Sequence, residues 1–116
     1  MAIYGAQGSI GAWCSWRPYN GSTDDSYNID SVTDHGQGDW TFNIDNNFSN
    51  ANYVVLATAT AGNGRHPAIR TNDYNDTEAN QSFSGYNSGS CRMVEISDNN
   101  GPHDCTLYNV VFIGDR

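Results

Sequence analysis

The sequence predicts an all-β protein that folds as a single antiparallel β-sandwich of about six to eight strands. Three observations predict this fold class. Short runs alternate polar and apolar residues with a period of two, as half-buried strands do. Clusters of Gly, Asn, Asp and Pro separate these runs, and no window carries a capped amphipathic helix over three turns. The chain has 116 residues, enough for one sheet-on-sheet core.

The N-terminal residues predict an arm followed by one domain. Residues 1–11 are rich in small residues and are expected to be an arm or attachment segment. Residues 12–116 are expected to form the sandwich domain. Its first element is an aromatic strand at 12–17, which Pro18 and the turn Asn20-Gly21 bring to an end.

The clearest hairpin lies in the first half of the chain. Residues 26–32 alternate cleanly and predict one half-buried strand, and residues 40–44 place three large side chains on one face. Between them, Gly36 and Gly38 are free to adopt positive φ angles, so the connection is expected to be a hairpin loop longer than two residues.

The second half of the chain is less regular. Residues 53–59 form the most apolar run and are rich enough in β-branched residues to predict a central strand. Residues 61–80 are rich in Gly, Asn and Asp, with one apolar island at 67–69, and form the longest irregular stretch. A turn is expected at 98–102. Three further strands are predicted, at 81–86, 92–96 and 105–113.

Composition excludes several classes of function. The formal net charge is −8, Lys is absent and the five Arg are scattered, whereas nucleic-acid binding requires clusters of basic residues. No apolar run approaches the length of a membrane span, so we expect no membrane insertion. The apolar fraction of 37% indicates a thin core, but the aromatic fraction of 12% argues against disorder. Contacts between subunits are one way to supplement such a core.

Three cysteines indicate buried thiols rather than a disulfide framework, because their number is odd. The N-terminus lacks the features of a signal peptide, so synthesis in a reducing cytoplasm is expected. Cys91 and Cys105 flank the predicted turn at 98–102. A bridge between them stays open if the two strands are neighbours.

No catalytic, metal or cofactor site is predicted. Most of the 13 acidic residues lie in turns beside Gly and Asn, where Asp hydrogen-bonds the backbone, so a catalytic pair is not expected. The segment 98–104 lacks the ligand spacing of an EF-hand and is interpreted as a turn. His35, His66 and His103 lack zinc-ligand spacing. Two metal sites that would require a threefold assembly stay open. In one, a single His from each of three copies binds the metal; in the other, Asp24-Asp25 supply calcium ligands.

The longest irregular stretch is the predicted contact loop, because long irregular loops are often functional. An ordinary solvated loop is an equal alternative. The candidate ligand-binding or receptor-binding residues are Arg65, His66, Arg70, Asn72, Asp73 and Tyr74. The aromatic residues of the predicted strands are instead assigned to the core or to a subunit interface; they are Trp13, Trp16, Trp40 and Phe42.

The segment 25–59, with the turn just before it, carries several motifs in a fixed order. They are Asn20-Gly21, Ser26-Tyr27-Asn28-Ile29, Ser31-Val32-Thr33-Asp34, Gly36, Gly38-Asp39, Trp40-Thr41-Phe42, Asn50-Ala51-Asn52-Tyr53 and Val54-Val55. This series resembles a recurrent segment of phage and prophage tail-fibre proteins. Residues 110–114 are similar to the usual end of these proteins. The likeness covers about residues 12–60, and residues 61–103 match no pattern. The order of elements also resembles H-type lectin-like sandwiches, which are six-stranded trimers that can bind sugars.

This resemblance implies a non-enzymatic virion protein. It implies a homotrimeric knob at a tail-fibre tip or on a particle appendage, assembled in the host cytoplasm. The expected partners are copies of itself, other virion structural proteins and a host glycan or receptor. A short arm at 1–11 would favour an appendage. The alternatives are a capsid decoration or head-fibre protein, a carbohydrate-binding lectin or adhesin, and a polysaccharide-degrading enzyme.

Overall fold

The computed structural model describes residues 9–60, 68–71, 85–96 and 102–115, with only the backbone described for 68–71 and for Ile96. Within these ranges the chain forms nine strands and no helix. The strands are β1 (Ile10–Arg17), β2 (Ser22–Tyr27), β3 (Ile29–Gly36), β4 (Asp39–Ile44), β5 (Val54–Thr60), β6 (Ala68–Thr71), β7 (Tyr86–Asn87), β8 (Ser90–Ile96) and β9 (Leu107–Ile113).

Two antiparallel sheets make up the molecule, which confirms the predicted all-β sandwich. The first sheet has the order β2-β1-β9-β5, and the second has the order β3-β4-β8-β6. The two-residue strand β7 also pairs with β8, beside β6. Without β7 the strand number is at the upper end of the predicted range.

The core lies between the sheets and is rich in aromatic side chains. Tyr108 of β9 packs its ring edge-on to Trp40 at 5.1 Å between centroids and stacks with Phe42 at 6.1 Å. Phe42 also contacts Phe112, with a centroid distance of 5.9 Å. These four side chains are at most 1% exposed, so the aromatic residues of β4 and β9 join the two sheets.

The prediction of one strand at 26–32 is wrong, because the chain changes sheets within it. Asn28 separates β2 from β3 and has a positive φ of 56°. Its amide donates to the carbonyl of Gly11 at 2.8 Å, and its Oδ1 accepts from the backbone of Asn46 at 2.7 Å. Asn is one of the few residues that tolerate this conformation, so the sharp bend depends on the amide side chain.

The hairpin β3–β4 is confirmed, and its second glycine anchors it. Gly38 has a φ of 69°. Its carbonyl accepts from the backbone of Glu95 at 2.8 Å, and its N–H donates to Asp104 Oδ1 at 2.7 Å. The hairpin tip is therefore tied both to β8 and to the segment that leads into β9.

Two further strand predictions require correction. The apolar run at 53–59 is not a central strand, because β5 forms an edge of the first sheet and pairs only with β9 among the described strands. The predicted irregular stretch contains β6, which pairs with β8. Alternation along four residues is too short a pattern to distinguish such a strand from a loop.

The three thiols are free and buried, as predicted. Cys91 lies in β8 of the second sheet, whereas Cys105 precedes β9 of the first sheet. The interpretation of 98–102 as a hairpin turn is therefore wrong, since β8 and β9 belong to different sheets. Residues 97–101 themselves lie outside the described ranges.

Strand β1 begins at Ile10, so the last two residues that were assigned to the arm belong to the first sheet. Residues 1–8 lie outside the part of the chain that the structure describes.

Candidate interaction surface

The outer side of the first sheet carries a continuous group of apolar side chains. Residues paired across strands share a face of a sheet, and one such row crosses all four strands. Tyr27 of β2 pairs with Trp13 of β1, Trp13 pairs with Val111 of β9, and Val111 pairs with Leu56 of β5. A large apolar residue therefore stands at every position of this row.

A second apolar row lies beside the first. Ile113 of β9 pairs with Ile10 of β1 on one side and with Val54 of β5 on the other. We call the two rows together the apolar face; its residues are Ile10, Trp13, Tyr27, Val54, Leu56, Val111 and Ile113. Beyond it, the row of Ser15, Asn109 and Thr58 is polar.

The apolar face is open to solvent to an unusual degree for such residues. Leu56 is 58% exposed, Ile10 56%, Val54 55% and Tyr27 46%, and the other three residues are half-buried. A shallow depression of about 380 Å³ lies on this surface beside Leu56 and Val111. The largest exposed apolar patch of a soluble protein is often a binding site, which makes this face the main candidate surface.

The sequence predicted only part of this surface. Trp13 was assigned to the core or to a subunit interface, and the structure places it on the outer face, whereas Trp16, Trp40 and Phe42 are core residues. The apolar run of β5 was interpreted as a central strand, but β5 lies at the edge of the first sheet. Its inner residues are half-buried, whereas Val54 and Leu56 on its outer side are exposed.

A second candidate surface lies at the turn between β1 and β2. Tyr19 is 84% exposed, and together with Arg17, Asn20 and Thr106 it lines an open pocket of about 300 Å³. An exposed aromatic ring beside hydrogen-bonding side chains offers both stacking and polar contacts to a ligand. No residue of this pocket was among the predicted contact residues.

The charged side chain that lines this pocket, Arg17, forms an ion pair with Asp24. Arg17 Nε donates to both carboxylate oxygens of Asp24, at 2.7 and 2.8 Å. This hydrogen bond raises the pKa of Arg17 and lowers the pKa of Asp24 below its usual value. Since Asp24 is already bound by a guanidinium, it is a poor calcium ligand, which weighs against the Asp24-Asp25 alternative.

A buried acid lies in the second sheet, and the sequence reasoning missed it. Glu95 is 0% exposed, its Oε2 accepts from the backbone N–H of Cys105 at 3.2 Å, and its Oε1 has no hydrogen-bond partner among the described residues. Burial raises the pKa of Glu95 above its usual range. The alternation of Cys91, Met93 and Glu95 along β8 is the signal that places Glu95 on the core side.

The same burial lowers the reactivity of the neighbouring thiol, Cys105. Desolvation, followed by the contact with Glu95, raises the pKa of Cys105, and burial raises the pKa of Cys91 to about 12. Because the thiolate is the reactive form of cysteine, neither side chain is activated as a nucleophile.

Several other acids stabilise turns and the ends of strands, as the sequence predicted. Asp34 accepts from the backbone of Gly36 at 2.9 Å, and Asp25 accepts from the backbone of Ser26 at 2.9 Å. Asp104, from the predicted turn at 98–104, holds Gly38. Within the described ranges, no group of three or more His, Cys, Asp or Glu side chains is arranged to hold a metal ion.

The predicted contact residues are not brought together by the described structure. Arg65, His66, Asn72, Asp73 and Tyr74 lie outside the described residues, and Arg70 is placed only by the backbone of β6, opposite Val94. Their assignment therefore stays a prediction.

In the portion of the chain that the structure covers, no helix has the length and apolarity needed to cross a membrane. Comparison with known proteins found no matching family model, no matching curated protein and no matching solved structure.

Proposed function

We propose that this protein is a non-enzymatic structural protein of a phage particle. In this proposal it forms a homotrimeric knob, at a tail-fibre tip or on a particle appendage, that contributes to host attachment after assembly in the host cytoplasm. The observation that carries the proposal is the structural role of the residues that resemble tail-fibre proteins: they occupy the framework positions of the sandwich.

Three of these residues hold the framework: two lie where the chain changes sheets, and one anchors a hairpin within the second sheet. Asn28 forms the bend from the first sheet to the second, and Gly38 ties the β3–β4 hairpin to β8. Tyr53 begins the return to the first sheet, and its hydroxyl donates to the carbonyls of Asn87 and Ser90, each at 2.9 Å. Residues with such geometric roles are those a shared fold would retain, so their match supports a common architecture.

The distribution of chemistry also supports a structural rather than a catalytic role. The interior of the described chain is filled by packed aromatic and aliphatic side chains. Glu95, the one buried acid among the described residues, has a raised pKa and faces a thiol with a raised pKa. The surface acids described above are engaged with the backbone or with Arg17. A polysaccharide-degrading activity, in contrast, requires two carboxyl groups facing each other across a substrate cleft.

Location on the particle is the sharpest test of this proposal. Antibodies raised against the folded protein are used for immunogold electron microscopy of intact particles from cultures that carry the gene. We expect discrete labelling at fibre tips or at appendages. Labelling spread over the head surface would instead favour the capsid decoration alternative. Absence of the protein from purified particles by mass spectrometry would contradict a virion role altogether.

Stoichiometry is tested separately by sedimentation equilibrium. The proposal expects a species with three times the subunit mass of 12.7 kDa. A monomer at every accessible concentration would contradict the trimer.

The pocket at Tyr19 favours carbohydrate binding as a second candidate function. A glycan array probed with the wild-type protein tests it. Saturable binding that Tyr19→Ala abolishes would place the glycan at the β1–β2 turn, whereas loss only in Tyr74→Ala would place it in the predicted contact loop. Failure to bind any glycan would count against the lectin alternative and leave the structural role standing.

A further inference from the structure

We infer that the apolar face of the first sheet is the surface through which copies of this chain associate. The inference rests on the proposed self-assembly, and it identifies the residues that make the contact. Its occupant is a second copy of the chain, docked through the rows that run from Tyr27 to Leu56 and from Ile10 to Val54.

Charge is the first argument for a second copy as the occupant. The chain has a formal net charge of −8, so two copies repel each other over most approaches. The apolar face contains no ionisable side chain except the phenol of Tyr27. Like copies can meet there without bringing carboxylates together, whereas a basic partner would be drawn to the acidic surfaces elsewhere on the molecule.

The position of the nearest charged side chains supports the same occupant. Asp25 pairs with Ser15 at the β2 side of the sheet, and Arg17 and Asp24 lie further along the same two strands. These charged groups border the apolar face rather than interrupting it. An apolar centre with polar groups at its margin is the usual organisation of a contact between proteins.

The extent of the first sheet sets an upper limit on the area of this contact. Four strands about 4.8 Å apart, with about seven residues each at about 3.3 Å per residue, give roughly 440 Å² in projection for the whole sheet, of which the apolar face is a part. Two sheets in contact therefore remove at most roughly 900 Å², below the roughly 1,000 Å² of a stable specific interface, so we expect a weak contact between two copies. Contact with two neighbours in a trimer would enlarge the area buried by each subunit.

Composition of the face adds to this argument. Trp13 and Tyr27 are adjacent across β1 and the edge strand β2, and aromatic side chains of this kind dominate the binding energy of protein contacts. Leu56 and Val54 supply aliphatic surface on the far strand. The face therefore offers both anchoring rings and complementary aliphatic surface to a second copy.

The test introduces one charge into the apolar face. Leu56→Glu is made because its side chain is 58% exposed, so the charge is tolerated by the isolated fold. Gln37→Glu, at an exposed position in the β3–β4 hairpin, adds the same charge away from the apolar face and is the matched control. Circular dichroism and the thermal midpoint confirm that each variant is folded.

Sedimentation velocity is measured on each protein from about 1 to 100 µM, the range expected for a small interface. We expect the wild-type protein and Gln37→Glu to associate alike, and Leu56→Glu to associate at least roughly tenfold more weakly.

The outcomes separate this inference from the proposed function. If Leu56→Glu associates as strongly as the wild-type protein, the apolar face is not the contact, while self-assembly itself stands. If the wild-type protein stays monomeric throughout the range, both the contact and the trimer fail. A wild-type monomer that binds another virion protein in a manner sensitive to Leu56→Glu overturns the choice of a second copy as the occupant.

Discussion

At the scale of single residues, Glu95 is the most unusual group in the described chain. A carboxyl group that is 0% exposed and has one oxygen without a hydrogen bond is costly to ionise. Its environment consists of the Cys105 thiol, with His103 and Asp104 on the segment before β9 acting in opposite directions on its pKa. Desolvation is the largest influence, so folding favours the protonated acid.

This protonation gives the first prediction, which concerns the dependence of stability on pH. The folded pKa of Glu95 is raised above its ordinary value of 4.5. The folded state therefore binds a proton that the unfolded state releases, and the contribution of Glu95 to stability is full below 4.5 and is lost as pH rises through the raised pKa. Glu95→Gln removes this contribution.

Chemical denaturation at pH 4.5 and at pH 8 measures the effect. We expect the free energy of unfolding of Glu95→Gln, relative to the wild-type protein, to increase between the two pH values. Taking the difference between the two proteins cancels the other titrating groups. A difference that is the same at both pH values would mean that Glu95 ionises normally in the folded protein.

Asn28 is the second residue whose local chemistry affects the whole fold. It combines a positive φ of 56° with side-chain hydrogen bonds that link the end of β2 to Gly11 and to Asn46. Asn28→Gly keeps the backbone conformation accessible but removes these bonds, and Asn28→Ala removes the bonds and adds the strain of a positive φ.

We therefore expect both substitutions to destabilise the protein, Gly by about 1–3 kcal/mol. Ala is expected to cost about 1 kcal/mol more than Gly, the usual penalty for a left-handed residue that carries a Cβ. Urea denaturation of the three proteins measures both steps. Equal stability of the Gly and Ala variants would show that the bend is not strained.

At the scale of elements, the β1–β2 turn and the β3–β4 hairpin provide a matched pair of glycines. Gly21 and Gly38 both have a φ of 69°, but a Cβ at Gly21 would meet nothing within 4 Å. A Cβ at Gly38 would lie 2.5 Å from the carbonyl oxygen of Glu95 and 2.5 Å from the backbone nitrogen of His103. Neither backbone atom can move without disturbing the link between the hairpin and β8.

Gly21→Ala is accordingly expected to cost about 1 kcal/mol, from the positive φ alone. Gly38→Ala is expected to cost at least about 3 kcal/mol, because steric overlap with the backbone is added to the same strain. Thermal and urea denaturation of both variants measure the difference. Similar costs at the two positions would mean that the hairpin tip can move away from β8.

The elements also show how far sequence reasoning extends. Alternation in β4 and the glycines of the turn before it determine local geometry, so the hairpin was predictable. The partner of a strand is determined by contacts distant in sequence. This is why β5 was expected at the centre of a sheet, and why a bridge between Cys91 and Cys105 stayed open. Alternation continues across Asn28 without interruption, so the change of sheet leaves no mark in the pattern.

The same limit applies to the candidate surface. Apolar residues on both sides of β5 were visible in the sequence, but two different structures bury a strand on both sides. One is a central position in a larger core, and the other is an edge position whose outer side meets another molecule. The pairing of Leu56 with Val111 and of Val111 with Trp13 places β5 at an edge rather than at the centre of the sheet. This register is a property of the folded chain and cannot be derived from the strand's own residues.

At the scale of the whole molecule, two opposing distributions define its behaviour. Negative charge is spread over turns and edges, while apolar side chains fill the core and also cover the outer side of the first sheet. In the proposed assembly, the negative charge would keep copies apart over most approaches, and the apolar face would be the surface at which they meet. A subunit with a thin core thus gains additional burial by assembly, which is consistent with the proposed trimer.

The three thiols test whether the subunit behaves as one cooperative domain. Cys14 lies in β1, Cys91 in β8 and Cys105 before β9, and each is at most 1% exposed. Burial raises the pKa of Cys14 to about 11 and that of Cys91 to about 12, so we expect no reaction of the native protein with a thiol reagent at pH 8.

In mild denaturant, all three thiols should react at one common rate, because exposing any of them requires separating the two sheets. The time course of labelling, followed by mass spectrometry, distinguishes simultaneous from stepwise modification. Early labelling of Cys105 alone would show that the segment before β9 opens independently, and the sandwich would then consist of a stable frame with a separate, weaker closing strand.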